Sequence, residues 1–318
     1  MAYLNKNQLL DIAEKISPHV HRTPLLRSSA LNRLTGHQVY LKAELFQKTG
    51  SYKPRGMINA LSALTAEERG RGVITASAGN AAQGLAYAAN LLGVKATVTM
   101  PAAASPIKAE ATRGYGAEVI LHGNARECFA HSLRLAEERG LTFIQSYNNI
   151  PLMQGYATLG LEIIEELPVA DAILIGVGGG GMLGGITMAA QACGSTTELI
   201  GVEPTGAPAM YKSFAEGKPV ELDQVSTIAD GLAPPSAGPL CYEVVRPRVR
   251  EIALVSDDDI VAAMLLLMQR CKLYVEPSGA AGLAGLLTSA VTLPPNSTVV
   301  CVLSGGNLDP GRLKALLP

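Results

Sequence analysis

No histidine follows His131; all five in the chain lie at or before it. The remaining sequence must carry out any acid–base chemistry without imidazole. A histidine-based zinc site or a Ser-His-Asp triad is therefore poorly supported. The five cysteines, Cys128, Cys193, Cys241, Cys271 and Cys301, are scattered, odd in number and never form a CxxC pair. That usage fits reduced thiols in a cytosol, with Cys301 reading as core inside Val299-Val300-Cys301-Val302-Leu303. There is no basic run and the net charge is −1, so a nucleic-acid partner lacks its electrostatic footprint. The first residues hold no signal-peptide apolar region, and no apolar run is long enough to span a bilayer. These absences lead to the expectation of a cytoplasmic protein with no membrane partner.

What is present is a large apolar inventory. Of 318 residues, 48% are hydrophobic and 17% charged, enough for a sizeable core and against disorder. Short apolar runs alternate with helical patterns. Val73–Thr75, Ala96–Met100, Glu118–Leu121 and Thr142–Gln145 read as buried strands, with helices at Asn80–Leu92, Pro106–Arg113 and Ala125–Arg139 between them. The alternation resumes with strands at Ala172–Ile175, Leu199–Val202 and Thr298–Leu303. Helices are expected near Thr158–Glu166, Met182–Cys193, Asp257–Gln269 and Gly279–Leu287. Two such series predict an α/β protein of two lobes, each a mostly parallel open sheet flanked by helices. The division is drawn as 1–71 and 149–318 for the larger lobe and 72–148 for the smaller. Segment 205–250, rich in proline and glycine, reads as a loop over a cleft or a subunit contact.

Three segments carry chemistry. In Ser51-Tyr52-Lys53-Pro54-Arg55-Gly56 a lysine sits beside a stiffening proline, with Arg55 two residues on. Desolvation or a neighbouring cation makes an amine a better nucleophile toward a carbonyl, as Schiff-base chemistry requires. The plain alternative is a surface lysine in a basic turn. Gly176-Val177-Gly178-Gly179-Gly180-Gly181-Met182 follows a strand and opens a helix, which makes a phosphate cradle. Gly176, Gly178 and Gly181 also satisfy G-x-G-x-x-G, with Glu203 about 20 residues on, as in a dinucleotide site. A monophosphate held by the consecutive glycines is the other reading. Ser77-Ala78-Gly79-Asn80-Ala81 forms a second strand-to-helix turn, whose amides suit a carboxylate or merely cap a helix. Ser304-Gly305-Gly306-Asn307 ends the last strong strand, where ligands of open α/β sheets bind.

Together with Thr23-Pro24-Leu25, Leu41-Lys42-Ala43-Glu44, Gln47–Gly50, Gly201-Val202-Glu203-Pro204, Ala229-Asp230-Gly231 and Val275-Glu276-Pro277, these segments occur in order over nearly the whole chain. The set resembles the fold type II family of pyridoxal-phosphate enzymes, whose architecture is that of the tryptophan synthase β-subunit. The likeness is to its threonine/serine dehydratase and serine racemase branch. The resemblance implies pyridoxal 5'-phosphate joined to Lys53, Tyr52 packed against its ring, and Gly178, Gly179, Gly180, Gly181 and Met182 on the phosphate. It also implies Asn80 at the ring hydroxyl and Ser304 at the ring nitrogen. Ser77, Ala78, Gly79, Asn80 and Ala81 would grip the substrate carboxylate.

Ala78 stands where racemases of the branch carry a second serine, which favours a dehydratase. Ala81 replaces a usual histidine, Tyr156 stands in a Gly-Gln-Gly-Thr position, and Ser146–Asn149 stand where His-Pro-Phe-Asp is typical. Ala209 occupies the place of an aspartate that would complete a divalent-cation site with Glu203, so no metal is expected. No C-terminal regulatory domain is expected either. The resulting expectation is elimination of a β-hydroxy amino acid to a 2-oxo acid and ammonia by a homodimer. The alternatives are a racemase on the same site, a nicotinamide-dependent dehydrogenase built on Gly176–Gly181, or a non-catalytic amino-acid sensor.

Overall fold

The computed structural model describes residues 3–316. Its larger sheet has six strands in the order β1 (Leu25–Arg27), β2 (Gln38–Ala43), β10 (Thr298–Leu303), β7 (Ala172–Gly176), β8 (Glu198–Pro204) and β9 (Glu251–Val255). Only the β1–β2 pair is antiparallel. The smaller sheet is wholly parallel, with β5 (Glu118–Leu121), β4 (Ala96–Met100), β3 (Val73–Ala76) and β6 (Thr142–Phe143) in that order.

The continuous apolar runs are explained by burial of both sheet faces. On β7, Ile173 and Ile175 join Val300 and Val302 of β10 in one core, while Leu174 joins Val299 and Cys301 in another. Side chains alternate along a strand, so one run feeds two cores. Helices α3 (Ile150–Glu166) and α4 (Gly181–Ala192) cover the first face; α6 (Pro277–Leu287) covers the second. Helices α1 (Lys53–Ser62) and α2 (Asn80–Leu91) share a third core with the smaller sheet. No helix is long and apolar enough to cross a membrane among the described residues.

Three strands and several helices escape the sequence reading. β2 carries Lys42 as its fifth of six residues, which cuts the apolar run short; Lys42 is nevertheless fully buried. Segment 205–250 is not simply a loop: it holds α5 (Ala209–Glu216) and a further helix at Pro239–Val245. α3 starts at Ile150 rather than Thr158, because Asn149 caps it by accepting from the Leu152 amide and Pro151 fits its first turn. Gly155 and Tyr156, inside that helix, are shaped by contact with α1. A Cβ at Gly155 would lie 2.4 Å from the Arg55 carbonyl oxygen.

A buried ionic cluster holds α1 in place. Arg55 donates through Nε and a terminal nitrogen to both Glu44 oxygens, each at 2.9 Å. It also donates to both Glu162 oxygens, at 2.6 and 3.0 Å. Lys42 Nζ donates to Glu162 Oε2 at 2.6 Å and to the Thr23 carbonyl at 2.7 Å. Burial alone would push the Glu44 carboxyl up, but Arg55 holds it below the usual range. Two cations face two carboxylates, so the cluster is neutral as a unit. Replacing Glu162 by Ala strands Lys42 and half of the Arg55 fork. Urea unfolding is expected to show a loss of roughly 3–5 kcal/mol, with Glu162→Gln less severe.

Glu203, at the end of β8, is fully buried and caps α5, accepting from the Met210 and Tyr211 amides at 2.9 and 2.8 Å. Burial pushes its carboxyl up to about 8, against the pull of those two amides. A raised folded-state value favours the protonated form. Its stabilising contribution is full below the ordinary 4.5 and disappears as pH rises through about 8. Between those limits the urea midpoint of the wild type is expected to fall with pH. The slope should approach one proton, and Glu203→Gln should lack it.

Candidate active site

Lys53 is the first residue of α1, and three local constraints fix its backbone. Pro54 locks the first helical turn. The Tyr52 amide donates to the Ser304 carbonyl at 3.1 Å, and Ser51 forms a bridge with Gly305. The amine donates to the Ser146 carbonyl at 3.3 Å and lies 4.9 Å and 5.7 Å from the ring centres of Tyr52 and Tyr156. Arg55, read from sequence as a cation acting on this amine, faces Glu44 and Glu162 instead. Helical geometry turns a residue two positions on to another face, and there its charge is already neutralised.

The tetraglycine joins β7 to α4, with Gly180 in the left-handed region at φ +97°. The Val177 amide pairs with Val202, and the Gly184 amide pairs with Gly180. Between them, the amides of Gly178, Gly179, Gly180, Gly181 and Met182 meet no acceptor among the described residues. Most of this segment is buried. A run of unmatched buried donors at a helix N-terminus is a site for an anion, and a phosphate fits it. The glycines are also required sterically, since a Cβ at Gly179 would lie 2.2 Å from the Tyr147 ring.

The turn at Ser77–Ala81 opens α2 in the same way. The Gly79 amide is held by the Ser77 hydroxyl at 3.2 Å, whereas the amides of Asn80, Ala81 and Ala82 meet no acceptor among the described residues. α2 packs directly on the lysine: a Cβ at Gly84 would lie 2.8 Å from Lys53 Cβ. Asn80 donates to Glu276 Oε1 at 2.6 Å and accepts from Asn307 at 2.8 Å. That uses one hydrogen of its amide and leaves the other for a ligand. Burial pushes the Glu276 carboxyl up, against the pull of Lys108 and the Asn80 hydrogen bond. Ser304 is buried beside Gly305, whose own Cβ position lies 2.6 Å from Glu276 Oε1.

The fold thus packs Ser304 and the helix that follows Ser77–Ala81 beside the Tyr52–Lys53 backbone, links the glycine loop to the Lys53 amine through Ser146 and Tyr147, and adds Glu276 through Asn80. Asp230 is held apart in an ion pair with Arg312. Glu203 is occupied by α5, so the ribose-binding acid of a dinucleotide site is missing. Cys241 carried no sequence signal of a role, and Tyr147 was marked only as part of the Ser146–Asn149 departure. Cys241 contacts the loop through Gly180, and its buried thiol, pushed up to about 12, donates to the Tyr147 carbonyl at 3.3 Å.

Comparison with known proteins identifies the family. The family profile described as PALP, pyridoxal-phosphate dependent enzyme, matches residues 16–305. The chain is 42% identical over 297 residues to an L-threonine ammonia-lyase of Geobacter sulfurreducens, covering 93% of this chain and 74% of the relative. Maize serine racemase superposes with a TM-score of 0.93 at 34% identity, covering 98% of this chain and 96% of that one. The processed form of threonine deaminase isoform 2 from Solanum lycopersicum superposes with a TM-score of 0.90 at 33% identity, covering 98% of this chain and 93% of that one. With a lysine amine flanked by two unmatched helix N-termini and likeness along nearly its whole length, this chain belongs to the pyridoxal-phosphate-dependent enzymes of fold type II.

Proposed function

We propose that this chain is a lyase that deaminates a β-hydroxy amino acid of the threonine and serine class to a 2-oxo acid and ammonia. The observation that carries the reading is the setting of Lys53, flanked by the unmatched amides of α4 and α2. Bound pyridoxal phosphate supplies an electron sink for charge developing at the substrate α-carbon. The amides of Gly178–Gly181 and Met182 bind its phosphate, aided by the positive end of α4. The turn Ser77-Ala78-Gly79-Asn80-Ala81 binds the substrate carboxylate through its free amides. Lys53 Nζ would hold the cofactor and, when free, would be the base that takes the substrate α-proton. Tyr52 would pack against the cofactor ring, and Asn80 would donate to its hydroxyl. Ser304 would offer the ring nitrogen a hydroxyl rather than a carboxylate, a weaker pull that suits departure of the β-hydroxyl.

The identity to relatives named for threonine supports the substrate class. The likeness to maize serine racemase supports racemisation as a second reading. Ala78 weighs against it, because a methyl group cannot return a proton to the opposite face. The two separate sheets support the division into 1–71 with 149–318 and 72–148. A homodimer and a cytoplasmic setting complete the proposal, the first checked by light scattering.

Purified protein is expected to be coloured, to release ammonia and 2-oxo acid in a panel of β-hydroxy amino acids, and to lose its visible band in Lys53→Ala. Loss of optical rotation from serine without pyruvate would replace the lyase by the racemase. Gly179→Ala is expected to weaken pyridoxal phosphate binding at least about tenfold in an absorbance titration. The introduced methyl group displaces Tyr147 or the loop from its packed position.

A further inference from the structure

Two polar residues beside the site have no part in the function proposed above: Glu276, just before α6, and Asn307, which ends the Ser304-Gly305-Gly306-Asn307 segment. Both meet the side chain of Asn80. The Asn307 nitrogen donates to the Thr49 carbonyl at 2.7 Å and to Asn80 Oδ1 at 2.8 Å. The Asn80 nitrogen donates in turn to Glu276 Oε1 at 2.6 Å. The direction of this chain is set at its first link. A backbone carbonyl only accepts, so the end of Asn307 that meets Thr49 is its nitrogen, and both hydrogens of that nitrogen are then engaged. Asn80 must answer with its oxygen, which leaves its nitrogen facing a carboxyl group. Charged or neutral, that carboxyl keeps an oxygen to accept. The two ends of a side-chain amide are nearly equal in shape, so hydrogen-bond partners decide which way it lies.

Two glycines leave room for the chain. A Cβ at Gly50 would lie 2.5 Å from Asn307 Oδ1. One at Gly305 would lie 2.6 Å from Glu276 Oε1 and 3.2 Å from Asn80 Nδ2. Thr49 and Glu276, at its two ends, are buried, which shields the end links from competing water.

We propose that Asn307 and Glu276 are positioning residues, which act through Asn80 from opposite sides and hold its remaining N–H toward the cofactor ring hydroxyl. The inference rests on the reading above that Asn80 meets that hydroxyl. An amide turned the other way would spend its hydrogens on Asn307 and offer none there.

The test uses apoprotein titrated by calorimetry with pyridoxal phosphate and with its analogue bearing hydrogen in place of the ring hydroxyl. The readout is the preference for the first ligand over the second, which a general loss of packing does not move. Asn307→Asp accepts where asparagine donates and so reverses Asn80; it is expected to lower the preference about tenfold, the worth of one hydrogen bond. Glu276→Leu should lower it less, and Glu276→Gln, which can still accept, should restore it. Equal weakening of both ligands in Asn307→Asp and Glu276→Leu would make the two residues merely structural and overturn the proposal. So would a glutamine variant as impaired as the leucine one, since charge rather than orientation would then be at work. If Asn307→Asp does not fold, the comparison of Glu276→Leu with Glu276→Gln decides by the same criteria. Asn80→Ala separates the two readings. An unchanged preference in that variant removes Asn80 from the ring hydroxyl and the inference with it, whereas a fall there without one in Asn307→Asp or Glu276→Leu overturns the inference alone.

Discussion

The site depends on backbone N–H groups that the fold leaves unmatched. Five at the start of α4 and three at the start of α2 meet no acceptor among the described residues. Such groups are costly when buried, and anions relieve the cost. Under the proposed function, a ligand with a phosphate at one end, carrying an amino acid whose carboxylate lies at the other, would meet both sets at once. Lys53 stands where these two demands meet, its stem against α2 and its amine against the segment that covers the glycine loop.

The neutral cluster under α1 explains how so polar a site is held steady. Arg55, Glu44, Glu162 and Lys42 link α1 to β2, to the turn after it and to α3. Glu162 is joined to Lys42 across 120 positions of sequence and to Arg55 across 107. The same helix thus carries the Lys53 amine on one face and a mutually satisfied guanidinium on another. Proximity in sequence suggested that the arginine tunes the lysine; the helical turn separates them.

Much was legible beforehand for a local reason. Strands β4, β5 and β10 coincide with their apolar runs, and the glycine loop follows a strand and opens a helix as its composition implies. Strands β1, β2 and β9 were not read from the sequence: β1 has three residues, β2 is interrupted by a charge whose partner lies far along the chain, and β9 directly follows the proline- and glycine-rich segment 205–250. Glu276 was legible only as part of the Val275-Glu276-Pro277 segment. Its place in the site comes from Asn80, 196 positions away. Tyr156 was legible only as a departure from Gly-Gln-Gly-Thr; its complete burial and its unpartnered hydroxyl come from the segments packed around it.

The sequence alone determined the elements whose physics is local: alternating apolar periods, a proline-locked lysine turn, and glycines placed where a backbone must face an anion. Tertiary structure alone decided which side chains share an environment. It turned Arg55 away from Lys53, gave Glu203 to a helix end and brought Glu276 to Asn80. Backbone conformation follows from neighbours within a few residues, whereas charge pairing and burial depend on which distant segments pack together.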